Sequence, residues 1–303
     1  MSRALVNSAA WERRMLKRNL TAIVLLAVAL FFILYLRTVA TELTDILLFA
    51  FIAFGAFEMY AVGKKAGRAP MILPILVVLV VIYPLYYFFG DTGILLSGMI
   101  AFIALLTVFL FKRGKYTLED AEYTAFVLFY PVLLGSSFFI INHTAGNLLG
   151  IFLLLFVTLL TDAFALFFGV LFGKKKLIPD VSPNKTVAGA AGAYVGGILG
   201  ATVVFLLFDV FRLFDSWKNV GMLCISDKLY VSAPLYLLIA LVGSTLAVIG
   251  DLVASWIKRK MNVKDFGKIF PGHGGVMDRL DSLLFVAPFI VLFFTVYNGV
   301  VCV

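Results

Sequence analysis

The chain has 303 residues, 63% of them apolar and only 14% charged, with a mean hydropathy of +1.07. A soluble domain runs at about 45–50% apolar and about 25% charged, and disorder needs low hydrophobicity, so both classes are excluded and a polytopic membrane protein remains. The net charge of +8 points to orientation, because Lys and Arg stay on the cytoplasmic side, and to an anionic substrate or lipid headgroup.

Residues 1–20 form a basic segment, with Arg3, Arg13, Arg14, Lys17 and Arg18 against Glu12 alone. An apolar run from Leu20 to Leu36 follows. A signal peptide has an apolar region of about 7–15 residues and a small-residue cleavage site. This run is longer and Thr38-Val39-Ala40 is a poor site, so an uncleaved first helix is expected. Further apolar runs lie near 44–62, 71–89, 93–111, 123–141, 147–171, 187–211, 232–254 and 281–301, about nine spans in all. Such unbroken runs read as helices, since barrel strands alternate every second residue. The expected fold is an all-α polytopic helical membrane protein. Pro74, Pro84, Pro131, Pro234 and Pro288 fall inside or at the edge of spans, which helices packed in a bundle tolerate. Gly189, Gly192, Gly196, Gly197 and Gly200 in the seventh span predict close helix packing. Asn142-His143-Thr144 matches a glycosylation triplet, a weak pattern, and Cys224 and Cys302 have no metal spacing.

With the N-terminus inside, the cytoplasmic segments are 1–20, 63–70, 112–122, 172–186 and 255–280. They hold 21 of the 25 Lys and Arg residues. Only Arg37, Arg212, Lys218 and Lys228 fall outside, and the C-terminus is expected outside. The two long polar loops, 172–186 and 255–280, are both on the inner side, so the chemistry is expected there.

Glu58, Asp162, Asp209, Asp251 and Asp281 lie in or at the edges of spans, where an ionisable group is a functional candidate by default. Glu58 and Asp209 lack nearby acidic partners and read as helix pairing or interfacial placement. Asp251, Asp278 and Asp281 converge at one membrane face. Asp278 and Asp281 are three apart, so on a helix their Cβ atoms stand about 5–6 Å from each other. Two close carboxylates repel, and a bound cation, or Arg279 between them, relieves that. All-oxygen ligands favour Mg²⁺, which takes carboxylates, waters and substrate phosphates. The surrounding stretch Ser255–Asp281 opposes Lys258, Arg259, Lys260, Lys264, Lys268 and Arg279 to Asp265, Asp278 and Asp281. Within it, Pro271-Gly272-His273-Gly274-Gly275 exposes backbone that can cradle a phosphate. In the other loop, Ser182, Lys185 and Thr186 precede the seventh span, where a helix N-terminus favours anions. Taken alone, that segment is better accounted for by ordinary positive-inside charge.

The stretch 255–281 resembles the hallmark of the phosphatidate cytidylyltransferase (CDP-diacylglycerol synthase) family. Ser255, Lys258-Arg259, Lys264-Asp265, Gly267, Pro271, His273-Gly274-Gly275 and Asp278-Arg279-x-Asp281 occur in register. Gly250-Asp251, Asp162-Ala-Phe-Ala, Gly173-Lys174 and Ser182-Pro183-x-Lys185-Thr186 resemble the blocks upstream. The family often has Lys where Asn184 stands and Glu near Ala188 and Ala254. The resemblance covers about 160–290; the earlier spans are similar only in hydropathy.

The resemblance implies CTP + phosphatidate → CDP-diacylglycerol + pyrophosphate, with Mg²⁺, a second cation such as K⁺, and a homodimer. Asp251, Asp278 and Asp281 would hold the metal. Lys258, Arg259, Lys264 and Arg279 would contact the phosphates, and Asp265 belongs to the same catalytic block. His273 would donate to phosphate or organise the loop rather than act as a base. Ser182, Lys185, Thr186, Ser255, Gly274 and Gly275 would bind substrate, and Asp162 would line the polar cavity. The implied organisation is the basic segment 1–20, N-terminal helices over 21–160 and a catalytic region over 161–303. Compact loops point to a bacterial inner membrane with the active site on its cytoplasmic side. The competing readings are a CTP-dependent polyprenol or phytol kinase, which needs a base for its hydroxyl, a cation-coupled transporter, and an inactive scaffold prompted by Ala188 and Ala254.

Overall fold

The computed structural model describes residues 31–36, 39–144, 147–215, 217, 224–270 and 274–301. The basic segment 1–20, the first expected span up to residue 30, His273 and Cys302 lie outside the described residues. The helices are α1 (Thr41–Lys65), α2 (Ile72–Phe89), α3 (Asp91–Phe111), α4 (Leu118–Val127), α5 (Ser137–His143), α6 (Asn147–Phe172), α7 (Val187–Phe205), α8 (Leu229–Lys260) and α9 (Met277–Val301). Among the described residues, eight helical stretches are long and apolar enough to cross a membrane. They coincide with the second to ninth runs expected from the sequence. The span at Leu118–His143 joins α4 to α5 through a π-helical turn, Leu128–Leu133. Pro131 sits in that turn, where its missing N–H breaks the i→i−4 ladder.

Large apolar side chains such as Val80, Phe88, Leu95, Phe111, Leu166 and Val170 cover the outside of the bundle. In water such a surface would aggregate; in a bilayer it faces acyl chains. The protein is an all-α integral membrane protein.

The structure corrects the expected loops at two places. Residues 172–186 were expected as plain loop but contain a small antiparallel hairpin, β1 (Lys176–Ile178) with β2 (Ser182–Thr186). The loop expected at 255–280 shrinks to 261–276, because α8 runs on to Lys260 and α9 begins at Met277. Lys258, Arg259 and Lys260 occupy the last turn of α8, where cations complement the carbonyl end of the helix.

Packing of α7 on α6 follows from its glycines. A Cβ at Gly189 would stand 2.8 Å from the Ala165 carbonyl oxygen, and one at Gly192 2.7 Å from that of Phe164. At Gly196 and Gly200 it would overlap the carbonyls of Leu160 and Phe156. Four glycines at three- and four-residue intervals thus bring the two backbones into contact, as expected.

Buried polar groups away from the loops are tied to one another. Asp45 accepts from Tyr83 Oη at 2.9 Å and Asn142 Nδ2 at 2.7 Å, and lies 2.7 Å from His143 Nε2, which joins α1, α2 and α5. Asn142 is fully buried, so the glycosylation triplet is a structural contact. Asp209 accepts from Tyr236 at 2.5 Å, the helix pairing expected of it.

Candidate active site

The site begins where α8 and α9 cross. A Cβ at Gly250 would stand 2.5 Å from the Asp281 carbonyl oxygen, so glycine there lets the helices approach and sets Asp251 and Asp281 at one level. Asp162 of α6 joins them. The Ser282 hydroxyl donates to both its carboxylate oxygens, at 3.3 and 3.2 Å, while the Ser282 N–H donates to Asp281 Oδ1 at 2.8 Å. Asp281 is within Coulombic reach of Asp251, Asp162 and Lys258. Asp162 feels Asp251, Lys185 and Arg279. Asp162 is exposed. The three acids in mutual reach are therefore Asp162, Asp251 and Asp281.

Asp278 faces elsewhere. Its Oδ1 accepts from Lys258 Nζ at 2.8 Å, and its Oδ2 from the N–H groups of Phe266 at 2.8 Å and Gly275 at 3.0 Å. Its carboxylate thus closes the loop 261–276 onto the start of α9. Gly274 helps: its φ of +80° favours glycine, and a Cβ there would press on Asp278. Phe270 N–H donates to Gly274 O at 3.0 Å, fixing the base of the signature turn. The ammonium of Lys258 is held between Asp278 and the ring of Phe266, 5.2 Å from its centroid.

The other expected residues divide by position. Lys185 lies 2.8 Å from Asp251 Oδ2, so the hairpin reaches the acid cluster. Thr186 is buried, and its hydroxyl accepts from Gly189 N–H at 3.1 Å as the N-cap of α7. Ser182 opens β2 and Ser255 sits half-buried on α8. Arg259, Lys264, Asp265 and Arg279 are exposed near the same helix ends. Gly275 N–H is directed at Asp278, so that donor of the expected phosphate cradle has a protein partner.

Two residues of the N-terminal half enter the site. Glu58 of α1 accepts from Met277 N–H at 2.8 Å. Tyr130, in the π-helical turn, is buried within Coulombic reach of Asp281 and Asp251, and its hydroxyl has no hydrogen-bond partner among the described residues. Glu58 carried a signal, an acid inside an apolar run, that was read as helix pairing. Tyr130 carried none, and neither did Ser282.

Among the described residues, no three His, Cys, Asp or Glu side chains form a ready-made metal cage. Mg²⁺ does not require one, since it commonly takes one or two carboxylates plus waters and substrate phosphates. The oxygen-only donors of Asp162, Asp251 and Asp281 fit such an ion.

Residues 16–297 match the model of the cytidylyltransferase family. The chain belongs to that family. It is 37% identical to the phosphatidate cytidylyltransferase of Staphylococcus epidermidis over 197 residues, 64% of this chain and 67% of the relative. With the enzyme of that name from Bacillus subtilis it shares 35% identity over 216 residues, 70% of this chain and 73% of the relative. With that of Staphylococcus aureus it shares 35% over 197 residues, 64% and 67% respectively. A membrane-embedded nucleotidyltransferase accounts for both the family and the site.

Proposed function

We propose that this enzyme transfers the cytidylyl group of CTP to phosphatidate, giving CDP-diacylglycerol and pyrophosphate. The reading is supported chiefly by the meeting of Asp162, Asp251 and Asp281 with a cationic rim at one end of a membrane bundle. The named activity of the relatives agrees. The positive-inside bias supports a cytoplasmic face for that end, and we propose a bacterial inner membrane as its setting, where CTP is available.

In the reaction a phosphatidate phosphate oxygen forms a bond to the α-phosphorus of CTP. The bond from that phosphorus to the bridging oxygen breaks, and pyrophosphate leaves. A phosphate monoester with its second pKa near about 6 is already largely dianionic at pH 7, so no general base is required. The protein's work is positioning and charge neutralisation. Arg259, Lys264 and Arg279 offer cations to the nucleotide phosphates, and Lys185 stands where an incoming phosphate can take it from Asp251. Asp251 and Asp281, with Asp162 beside them, would hold Mg²⁺, whose chemistry there is neutralisation of the α-phosphate and pyrophosphate charge. K⁺ is the second cation we propose, and the active form a homodimer. His273 serves as a phosphate donor or loop organiser.

The test is to incubate purified protein in detergent with phosphatidate and CTP labelled at the α- or γ-phosphate, with and without Mg²⁺. Lipid labelled from the α-position only, and only with Mg²⁺, is expected. Lipid labelled from the γ-position would make the enzyme a kinase and overturn the reading.

A further inference from the structure

We infer that Glu58, on the N-terminal helix α1, is a positioning residue that locks the signature loop for nucleotide transfer; this rests on the activity proposed above. Its side chain crosses from one half of the chain to the other, with 219 residues between it and the N–H it binds. Met277 N–H donates to Glu58 Oε2 at 2.8 Å, while the buried Oε1 has no hydrogen-bond partner among the described residues. The first N–H of α9 is thereby held by α1. Two glycines of the loop leave room for this. A Cβ at Gly275 would overlap both carboxylate oxygens of Glu58, and a Cβ at Gly267 would overlap Oε1.

The carboxylate itself is fixed. Gly55, one turn earlier, faces Met277 and Leu280 of α9, and Tyr123 Oη donates to the Met59 carbonyl at 2.7 Å, which sets the rotation of α1. Asp278 holds the loop from the other side through Phe266 and Gly275. The loop is therefore clamped between two acids, one from each half of the chain. Arg279 and Asp281 follow directly on this clamp. A loop that swings free of Glu58 carries the start of α9 with it, and a displacement of about 1 Å at a reacting centre can cost about 10²-fold in rate.

Full-length protein in detergent would be compared as wild type, Glu58→Gln, Glu58→Asp, Glu58→Ala, Gly275→Ala and the Glu58→Ala/Gly275→Ala pair. Glutamine keeps one acceptor for Met277 N–H, so Glu58→Gln should stay within about threefold of wild type in kcat. Glu58→Ala should lose at least about tenfold in kcat at an unchanged melting temperature, with a smaller change in KM for CTP. Should Glu58→Ala fail to fold, Glu58→Asp, one methylene too short, should show the same kcat loss. Gly275→Ala should be impaired alone and regain activity when Glu58 is also alanine, because the methyl then enters the space of the lost carboxylate. Wild-type kcat in both Glu58→Ala and Glu58→Asp, or independent multiplication of the two effects in the pair, would overturn the inference. Wild-type protein that labels no lipid would overturn the activity reading instead. The same pair read by melting temperature then decides the clamp, with non-additive shifts supporting it and additive shifts overturning it.

Discussion

Replacing Asp278 by asparagine removes one charge from the centre of the loop closure. The carboxylate holds three donors, Lys258 Nζ on one oxygen and the Phe266 and Gly275 N–H groups on the other. Asparagine has one acceptor oxygen and an NH₂ group. Whichever way it turns, its NH₂ faces either the Lys258 ammonium or two backbone N–H groups. The side chains are 5% exposed for Asp278 and 16% for Lys258. Breaking a buried ion pair by removing one partner costs about 3–5 kcal/mol, and the residual access of Lys258 to solvent sets the lower end, about 3 kcal/mol. For a chain of this size that is on the order of 5–10 °C in melting temperature. The loop should also open: trypsin, which cuts after lysine, should cleave faster at exposed Lys264 and Lys268. Residual activity should keep its wild-type Mg²⁺ midpoint, because the acids in mutual reach are Asp162, Asp251 and Asp281. The measurements are a melting curve, a trypsin time course and a Mg²⁺ titration of CDP-lipid formation. A variant that melts and resists trypsin like wild type but needs far more Mg²⁺ would refute this reasoning and return Asp278 to the metal.

Asp281→Asn should behave oppositely, retaining the wild-type melting temperature and losing Mg²⁺-dependent turnover by at least about 10²-fold; full activity would remove Asp281 from the proposed metal site. Gly192→Ala puts a methyl 2.7 Å from the Phe164 carbonyl oxygen, so α6 and α7 must part; a loss of about 1–3 kcal/mol in unfolding measurements is expected, together with reduced transfer. His273→Gln should lower the rate without removing an ionisation near about pH 6–7 from the pH–rate profile, and loss of that ionisation would make His273 a base. Lys185→Met should lower the Mg²⁺ midpoint while raising KM for CTP, both read from initial rates of labelled-lipid formation; an unchanged or raised midpoint would count against competition at Asp251.

The spans were legible because a helix crossing hydrocarbon needs about 20 apolar residues and little else. The runs at 44–62 and 147–171 therefore landed on α1 and α6 within a few residues. Helix ends were less legible. Lys258, Arg259 and Lys260 read as loop because they are polar, yet they continue α8, where hydrogen bonding and the helix dipole outweigh polarity. The pairing of Asp278 with Asp281 followed from their spacing, but spacing ignores what else reaches them. Lys258 and two loop N–H groups draw Asp278 outward, while Ser282 and Asp162 adjoin Asp281. Asp162 was assigned to a cavity wall without its partners, and Glu58 to simple pairing. In both cases the decisive contact is between residues more than a hundred positions apart, 120 for Asp162 with Ser282 and 219 for Glu58 with Met277. No local pattern in one sequence encodes such a contact.

The acids Asp162, Asp251 and Asp281 act electrostatically on one another and on Lys185 and Lys258. Three carboxylates in mutual reach repel strongly in a medium of low dielectric, and the close crossing at Gly250 holds two of them together regardless. Without substrate, Lys185 relieves part of that repulsion by standing 2.8 Å from Asp251. Were Mg²⁺ held by these acids, as proposed above, its charge would neutralise them in place of the ammonium. Lys185, at the end of a hairpin rather than on a helix, would then be available to an anionic triphosphate. On the proposed reading the same lysine would serve first Asp251 and then the phosphate, which would tie nucleotide binding to metal binding. On that reading the two lysines divide the work: Lys185 stands beside Asp251 on β2, a short strand outside the bundle, while Lys258, fixed on α8, holds the loop through Asp278.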